Sequence, residues 1–528
     1  MKKIFFLIIS GLTFSVSHSQ EVSDAVRYAQ DNLTGTARFR AMSGAFGAVG
    51  GDLSSLSVNP AGSAIFSNNQ VAVTVSNQNT KNNSNYFGTQ TSDKDNSFIL
   101  NQAGGVFVFN DRNQKNGWNK IAIGVSYENT NNFDNNIFSA GTNPTHSVDQ
   151  YFLDFANYGN GGSPVPQQFV NTNTNESISD LYGFLGSNLP NSQYPNLSGF
   201  SAQQAMLGYQ GFVINANDAN NPNSTYTSNV PHVPTGSNFY QENSVYERGY
   251  NSKVSFNIAT SYKDRIYLGA NLNVHVTDYR KSSSFYEAND NPLTPTQTIS
   301  NLTFNNELYT YGNGFSFQLG AIAKVTEAFR LGLAYESNTW YELYDELHQS
   351  LYTLTESSGG QGYDNSLNPD YVNVYESYTL QTPGKFTFSG AYVFGKSGLI
   401  SVDYAIKDYG NTKFKPSNAG FGGVNSDISD QLTNNGELRV GAEYKINRLS
   451  LRGGYRYEGS PYKNKTTIGD LNSYSGGLGY SFGGTKLDLA YSYAERKTNQ
   501  GFFATGFTDG ANITSKLNNV SLTLLFEL

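Results

Sequence analysis

The chain has 528 residues, with 34 Lys and Arg against 42 Asp and Glu, and a formal charge of −8. Charged residues make up only 14%, below the ~25% of ordinary soluble domains, while 37 Tyr and 35 Phe dominate a 14% aromatic share. The acidic balance without a dense Lys/Arg cluster excludes nucleic-acid binding, and the lack of cysteine excludes disulfides, thiol catalysis and a lipoprotein acyl anchor.

Met1-Lys2-Lys3, the apolar run from Ile4 to Phe14 and the small, polar Ser15 to Gln20 follow the order of a secretory signal peptide, residues 1–20. No later stretch reaches the ~18 apolar residues of a membrane-spanning helix. An exported chain of this kind either leaves the membrane or crosses it as strands. Residues 21–66 do not alternate. Val22 to Asn32 predicts a short helix, and a small-residue stretch with Gly44, Gly47, Gly50 and Gly51 follows. About forty-five residues are too few for an independent core. Their low charge is unlike most disordered tails, so the reading is a plug inside a barrel lumen, with a periplasmic tail as the alternative.

From residue 70 onward the pattern has period two. In Glu437 to Ile446, Leu438, Val440, Ala442 and Tyr444 share one face, and Glu437, Arg439, Gly441 and Glu443 share the other. About fourteen such segments fit the even number and strand length of outer-membrane barrels. Short gaps such as Lys263-Asp264, Lys396-Ser397 and Asn447-Arg448 alternate with long ones at 130–247, 281–308, 345–377, 414–435 and 498–517. That asymmetry predicts an all-β fold. It is a transmembrane antiparallel barrel over 67–528, with the plug in its lumen, long extracellular loops and both barrel ends on the periplasmic side. Val520, Leu522, Leu524, Phe526 and Leu528 alternate as a closing strand.

Loop 130–247 carries eight Asp and Glu and no Lys or Arg. Leu181, Phe184 and Leu185, then Met206, Leu207 and Val213, have helix-like apolar spacing. Two readings stand: a solvated cap, or an apolar capture groove for a lipid-like ligand.

Ala37 to Asp52, with the sequence ARFRAMSGAFGAVGGD, followed by Asn59-Pro60-Ala61-Gly62, resembles the hatch of the FadL/TodX family. Thr382-Pro383-Gly384-Lys385-Phe386, Leu438 to Tyr444 and Leu451 to Tyr455 resemble later segments of that family, though Ser63 stands where it usually has Leu. The resemblance implies a passive outer-membrane transporter of hydrophobic compounds such as long-chain fatty acids or aromatic hydrocarbons. It implies gating by the plug through Phe46, Asp52, Asn59, Pro60, Ala61 and Gly62, and capture at Leu181, Phe184, Leu185, Met206 and Leu207. It further implies a lateral exit through an interrupted wall, which the sequence does not locate, and a monomer surrounded by outer-membrane lipid.

Enzymatic readings fail on context. Gly479 to Gly483 matches G-x-S-x-G, but it alternates like a strand and no His follows. The five His have no zinc spacing, no cofactor is expected, and His275 falls on a polar inward face with Asn271 and Asn273. Glu342, Asp345 and Glu346 read as a solvated rim rather than a glycosidase pair. The rivals are a general diffusion porin, and a barrel that binds haem or mediates adhesion through loop 130–247.

Overall fold

The computed structural model describes residues 20–111, 117–187, 189, 193–233, 236–417 and 420–528. Apart from Gln20, the signal-peptide reading lies outside the described residues. β1 (Gln70–Tyr86) and β2 (Thr89–Asn110) form a hairpin, followed by β3 (Trp118–Asn132), β4 (Phe239–Tyr262), β5 (Ile266–Asn289) and β6 (Thr298–Lys324). β7 runs in two stretches, Phe329–Glu336 and Trp340–Glu356, as does β8, Tyr378–Gln381 and Lys385–Val393. β9 (Gly398–Asp408), β10 (Asn434–Ile446), β11 (Leu449–Glu458), β12 (Ile468–Ser481), β13 (Thr485–Gly501) and β14 (Gly510–Glu527) complete the wall. β14 returns antiparallel to β1, with Val73 opposite Leu524 and Val75 opposite Leu522, so a fourteen-stranded barrel closes without an edge.

The period-two pattern sets the two faces. Phe256, Ile258, Leu272 and Val274 point outward and are exposed, while Asn257, Asn271 and Asn273 point inward and are buried. Buried amides need partners. Asn257 Nδ2 donates to Asn271 Oδ1 at 2.7 Å, and Asn271 Nδ2 to Gln318 Oε1 at 2.8 Å, stepping from strand to strand. A polar interior under an apolar outer band inverts the soluble pattern and suits a barrel in lipid. Among the described residues no helix is long and apolar enough to cross a membrane.

Several expected loops are strand. The gap read as 281–308 is only 290–297, and 498–517 is only 502–509, because the flanking strands rise beyond the apolar band. Within 345–377, β7 continues to Glu356, and Gly362–Leu367 and Val372–Val374 pair onto it. Above the band Ser, Asn and Tyr replace the outward apolar residues, so the alternation fades from the sequence. β1 and β2 meet through Phe87 and Gly88 at φ 45° and 88°, a two-residue turn of the type that matches strand twist. Loop 130–247 narrows to 144–238, since Asn135–Asn143 adds to β4.

That loop holds α3 (Asp149–Tyr158), α4 (Ile178–Ser187) and α5 (Gly199–Gln210) as a cap. Residues 20–66 lie inside the barrel as α1 (Val22–Ala29), α2 (Ala37–Ala41) and two 3-10 turns, Leu53–Ser57 and Pro60–Ile65. The segment starts near the loop end, where Gln20 Nε2 donates to the buried Asp345. It turns at the opposite end and joins the wall where Leu528 N donates to Asn69 O at 2.9 Å.

Candidate functional site

The lower lumen is filled by the small-residue bend. Asn59 is buried; its Nδ2 donates to Gly47 O at 2.7 Å and to Ala321 O of β6 at 3.1 Å. Its Oδ1 accepts from Ala61 N at 3.2 Å and caps the turn that Pro60 opens. One side chain therefore ties two stretches of the segment to the wall. Pro60 O accepts from Asn257 Nδ2 at 3.0 Å, Ala61 lies among Ala64, Ala259 and Tyr267, and Gly62 O accepts from Gly51 N at 3.1 Å. The wall leaves room for this backbone by glycine: a Cβ at Gly269 would overlap Pro60, and one at Gly332 would overlap Gly47. Asp52 accepts from Thr36 Oγ1 at 2.7 Å and Ser54 N at 3.0 Å, and burial pushes its carboxyl above the usual range. Phe46 is fully buried against Phe39, ring centres 5.3 Å apart, with the Arg38 guanidinium 5.1 Å from its ring.

Charged contacts fix the bend further. Arg38 forks onto Glu443 of β10 at 2.9 and 3.1 Å, and Arg452 of β11 shares that carboxylate at 2.7 Å. Arg452 also reaches Asp488 of β13 at 2.5 Å. Burial works against the Arg38 charge, but Glu443 holds its pKa above the ordinary value. Arg40, which donates to Ser492 at 3.0 Å, is instead pushed down to about 9 by burial, with Arg456 adding to the effect.

Higher in the lumen, Asp31 meets Lys385 of β8 at 2.9 Å and Lys407 of β9 at 3.1 Å. Burial opposes its charge, yet the two lysines hold the carboxyl well below the usual range. Lys253 of β4 is buried nearby. Two cavities adjoin Asp31, one of about 60 Å³ reaching Asn32, Glu128 and Lys253, the other of about 20 Å³ reaching Glu437 and Arg456. Each holds a few waters at most and neither is an apolar passage.

The wall is interrupted beside the larger cavity. The β2–β3 ladder runs only from Asn110 opposite Lys120 to Gln102 opposite Glu128. Beyond it β1–β2 shifts register at Thr74/Val75 and β3–β4 shifts at Asn129/Asn131. Adjacent bulges bend the two strands apart. Asn32 of the lumenal segment donates from its N to Thr130 O at 3.2 Å behind this separation.

At the loop end the chemistry is apolar. Tyr151, Phe152, Phe285, Phe304, Phe503 and Phe507 form one buried or half-buried cluster from α3, β5, β6 and the β13–β14 loop, with ring centres such as Phe152–Phe304 at 5.3 Å. Leu181, Leu185, Met206 and Leu207 lie in the same cluster, so they fill the cap instead of lining an open groove; Phe184 is 38% exposed and stands outside it.

The remaining candidates separate. Asp345 points inward and accepts from Thr310 at 2.6 Å and Tyr378 at 3.0 Å, whereas Glu342 and Glu346 sit on the outward face of β7. His275 faces inward, 2.9 Å from Ser316. Ser481 ends β12 at a hairpin to β13, without the helix a nucleophile elbow needs. The sequence reading missed Arg38–Glu443, Asp31–Lys385 and the aromatic cluster. For the ion pairs the advance signal was charge on inward-facing strand positions such as Glu443 and Lys385; the rings of the cluster gave none.

The family of outer membrane protein transport proteins (OMPP1/FadL/TodX) matches residues 252–512. Outer membrane protein P1 of Haemophilus influenzae is 27% identical over 192 residues, which cover 35% of this chain and only 38% of that relative. A Pseudomonas aeruginosa FadL homologue superposes with a TM-score of 0.52 at 14% identity, over 94% of this chain and 99% of that one. The Pseudomonas putida toluene transporter TodX gives a TM-score of 0.46 at 12% identity, over 95% and 100%. At 14% identity the likeness to the Pseudomonas aeruginosa homologue is one of fold.

Proposed function

From the premise that this chain belongs to the OMPP1/FadL/TodX family of outer-membrane proteins, we propose that it passes hydrophobic compounds, long-chain fatty acids among them, under control of its N-terminal segment. The observation that carries this reading is the division of the lumen: an aromatic cap at the loop end, and below it a segment whose two cavities beside Asp31 are small and polar. A water-filled pore offers an apolar solute no advantage, whereas burial in the cap stabilises it by roughly 25 cal/mol per Å² removed from water.

Onward movement requires the segment to shift between arrangements a few kcal/mol apart. Asn59, Asp52 and the Arg38–Glu443 fork hold the closed one. Pro60 keeps the post at Asn59 stiff by fixing its own φ and biasing Asn59 to extended geometry. The separation between β2 and β3 is the exit, because a solute leaving there enters lipid without crossing the lower lumen. The solute itself needs no chemistry from the chain, so the reading is transport and not catalysis.

The test is flux of a labelled long-chain fatty acid into proteoliposomes, with toluene and a small sugar as parallel tracers. Fatty-acid flux without sugar flux, altered in Asn59→Ala and Pro60→Ala variants inserted at parental levels, is the expected result. Toluene flux alone replaces the substrate and keeps the mechanism. Sugar flux favours a diffusion porin and ends this reading.

A further inference from the structure

On the outward face of the wall, Lys94 of β2, Lys81 of β1 and Lys516 of β14 stand directly opposite one another in a single ladder row. Side chains so placed lie about 5 Å apart, and like charges there are destabilising. Among the described residues the row is offset only weakly, by Glu495 opposite Lys516 on β13. Lys81 and Lys94 are exposed and form no ion pair among the described residues, and Lys516 has only Glu495, at 4.0 Å. A second facing pair, Arg248 of β4 and Arg280 of β5, continues the arc. Arg248 is held by Asp95 at 3.1 Å, while Arg280 lies 4.2 Å over the Tyr309 ring with no carboxylate partner among the described residues.

The height of these cations is the second observation. The outward apolar band ends at Val520 on β14 and Val276 on β5, so Lys516 and Arg280 each stand four residues above it. Four residues of a strand tilted near 40° rise roughly 10 Å, which is headgroup level at the loop end of the barrel. The arc also brackets the β2–β3 separation, with Lys94 on one side and Arg248 on the other.

We propose that the row Lys94–Lys81–Lys516, extended by Arg248 and Arg280, is a binding site for the phosphates of an outer-leaflet glycolipid. Phosphate oxyanions between the ammonium groups turn a repulsive row into paired charge, and the Arg280 guanidinium, which lies over the Tyr309 ring, adds a cationic donor group for a further oxyanion. The bound headgroup holds the barrel at a fixed depth and packs lipid around the wall separation. The site rests on outer-membrane placement and is independent of what the barrel transports.

The full-length protein in neutral detergent is titrated with lipopolysaccharide, with the same glycolipid after dephosphorylation, and with inorganic phosphate, following Tm and lipid retained in native mass spectrometry. Lipopolysaccharide is expected to raise Tm and remain bound, and the dephosphorylated form to do neither. K81S/K516S is expected to weaken binding on the order of fivefold per lysine removed. Its Tm in detergent alone stays level or rises, since repulsion is relieved. Lys81→Arg keeps binding and separates charge from folding. Equal binding of the dephosphorylated lipid, or by K81S/K516S, overturns the site. An equal Tm rise with inorganic phosphate alone overturns the glycolipid assignment in favour of a free anion.

Discussion

Around the small-residue bend, Arg38, Asp52 and Asn59 are held by hydrogen bonds of 2.7 to 3.2 Å, whereas in the cap Phe152, Phe304 and Phe503 meet through ring contacts of 5.3 to 6.2 Å. Hydrogen bonds weaken steeply with angle and distance, so the lower lumen favours one arrangement of the segment and loses much when it shifts. Ring contacts have shallow geometric preferences and can be exchanged for contacts with another apolar body. Under the proposed function, the closed arrangement rests on polar geometry, and tolerance for varied apolar solutes rests on aromatic packing. A barrel that did both with one chemistry would either leak or bind without release.

Breaking the polar side should have the larger effect. Glu443→Ala removes the carboxylate shared by Arg38 and Arg452, both of which stay buried or nearly so. Arg452 keeps Asp488, so the loss falls on Arg38 and costs at most about 3–5 kcal/mol. The expected result is release of the bend, read as raised conductance in planar bilayers and protease cleavage near Gly50-Gly51. Unchanged conductance in an inserted, folded variant would show that the fork does not hold the segment. Phe152→Ala costs a comparable ~3–5 kcal/mol at most, but confined to the cap. Hydrogen exchange should rise in α3 and α5 with no gain in conductance; a leak would erase the contrast between the two ends. Asn59→Ala is expected to be milder, about 1–3 kcal/mol, since it leaves Gly47 and Ala321 carbonyls without this donor. Its conductance should fall between the parent and Glu443→Ala.

The same contrast explains what could be read in advance. Within the band, β10 and β14 alternate cleanly, because one face meets lipid and the other a polar interior. Asn59-Pro60-Ala61-Gly62 stood out through its family resemblance, and the turn that Asn59 caps there is local in sequence. Arg38 and Glu443 are 405 residues apart, and no local pattern says which inward charge meets which. The cap core was half legible: spacing placed Leu181, Leu185, Met206 and Leu207 on helices, but Phe285, Phe304 and Phe507 join them from separate segments. The β2–β3 separation depends on two bulges, each one residue of slippage, which leave no compositional mark.

The smallest effect sharpens the comparison, because the cap holds one polar clasp of its own. His232 Nε2 donates to Asp149 Oδ2 at 2.7 Å at the start of α3. That hydrogen bond raises the His232 pKa above its ordinary 6.5, burial opposes the rise, and the Asp149 and Glu287 charges add to it. A group whose folded value is raised contributes stability that is complete below the unfolded pKa, about 6.5, and is lost as pH climbs through the folded value. His232 is about one-third exposed, so screening limits the contribution to well under ~1 kcal/mol. Exchange protection of α3 should therefore decline slightly from mildly acid to alkaline buffer, while protection of the lumenal bend should not follow it. His232→Gln should flatten the cap profile. A parallel decline in both regions would mean that the cap and the bend open together, and that the two chemistries act as one cooperative unit.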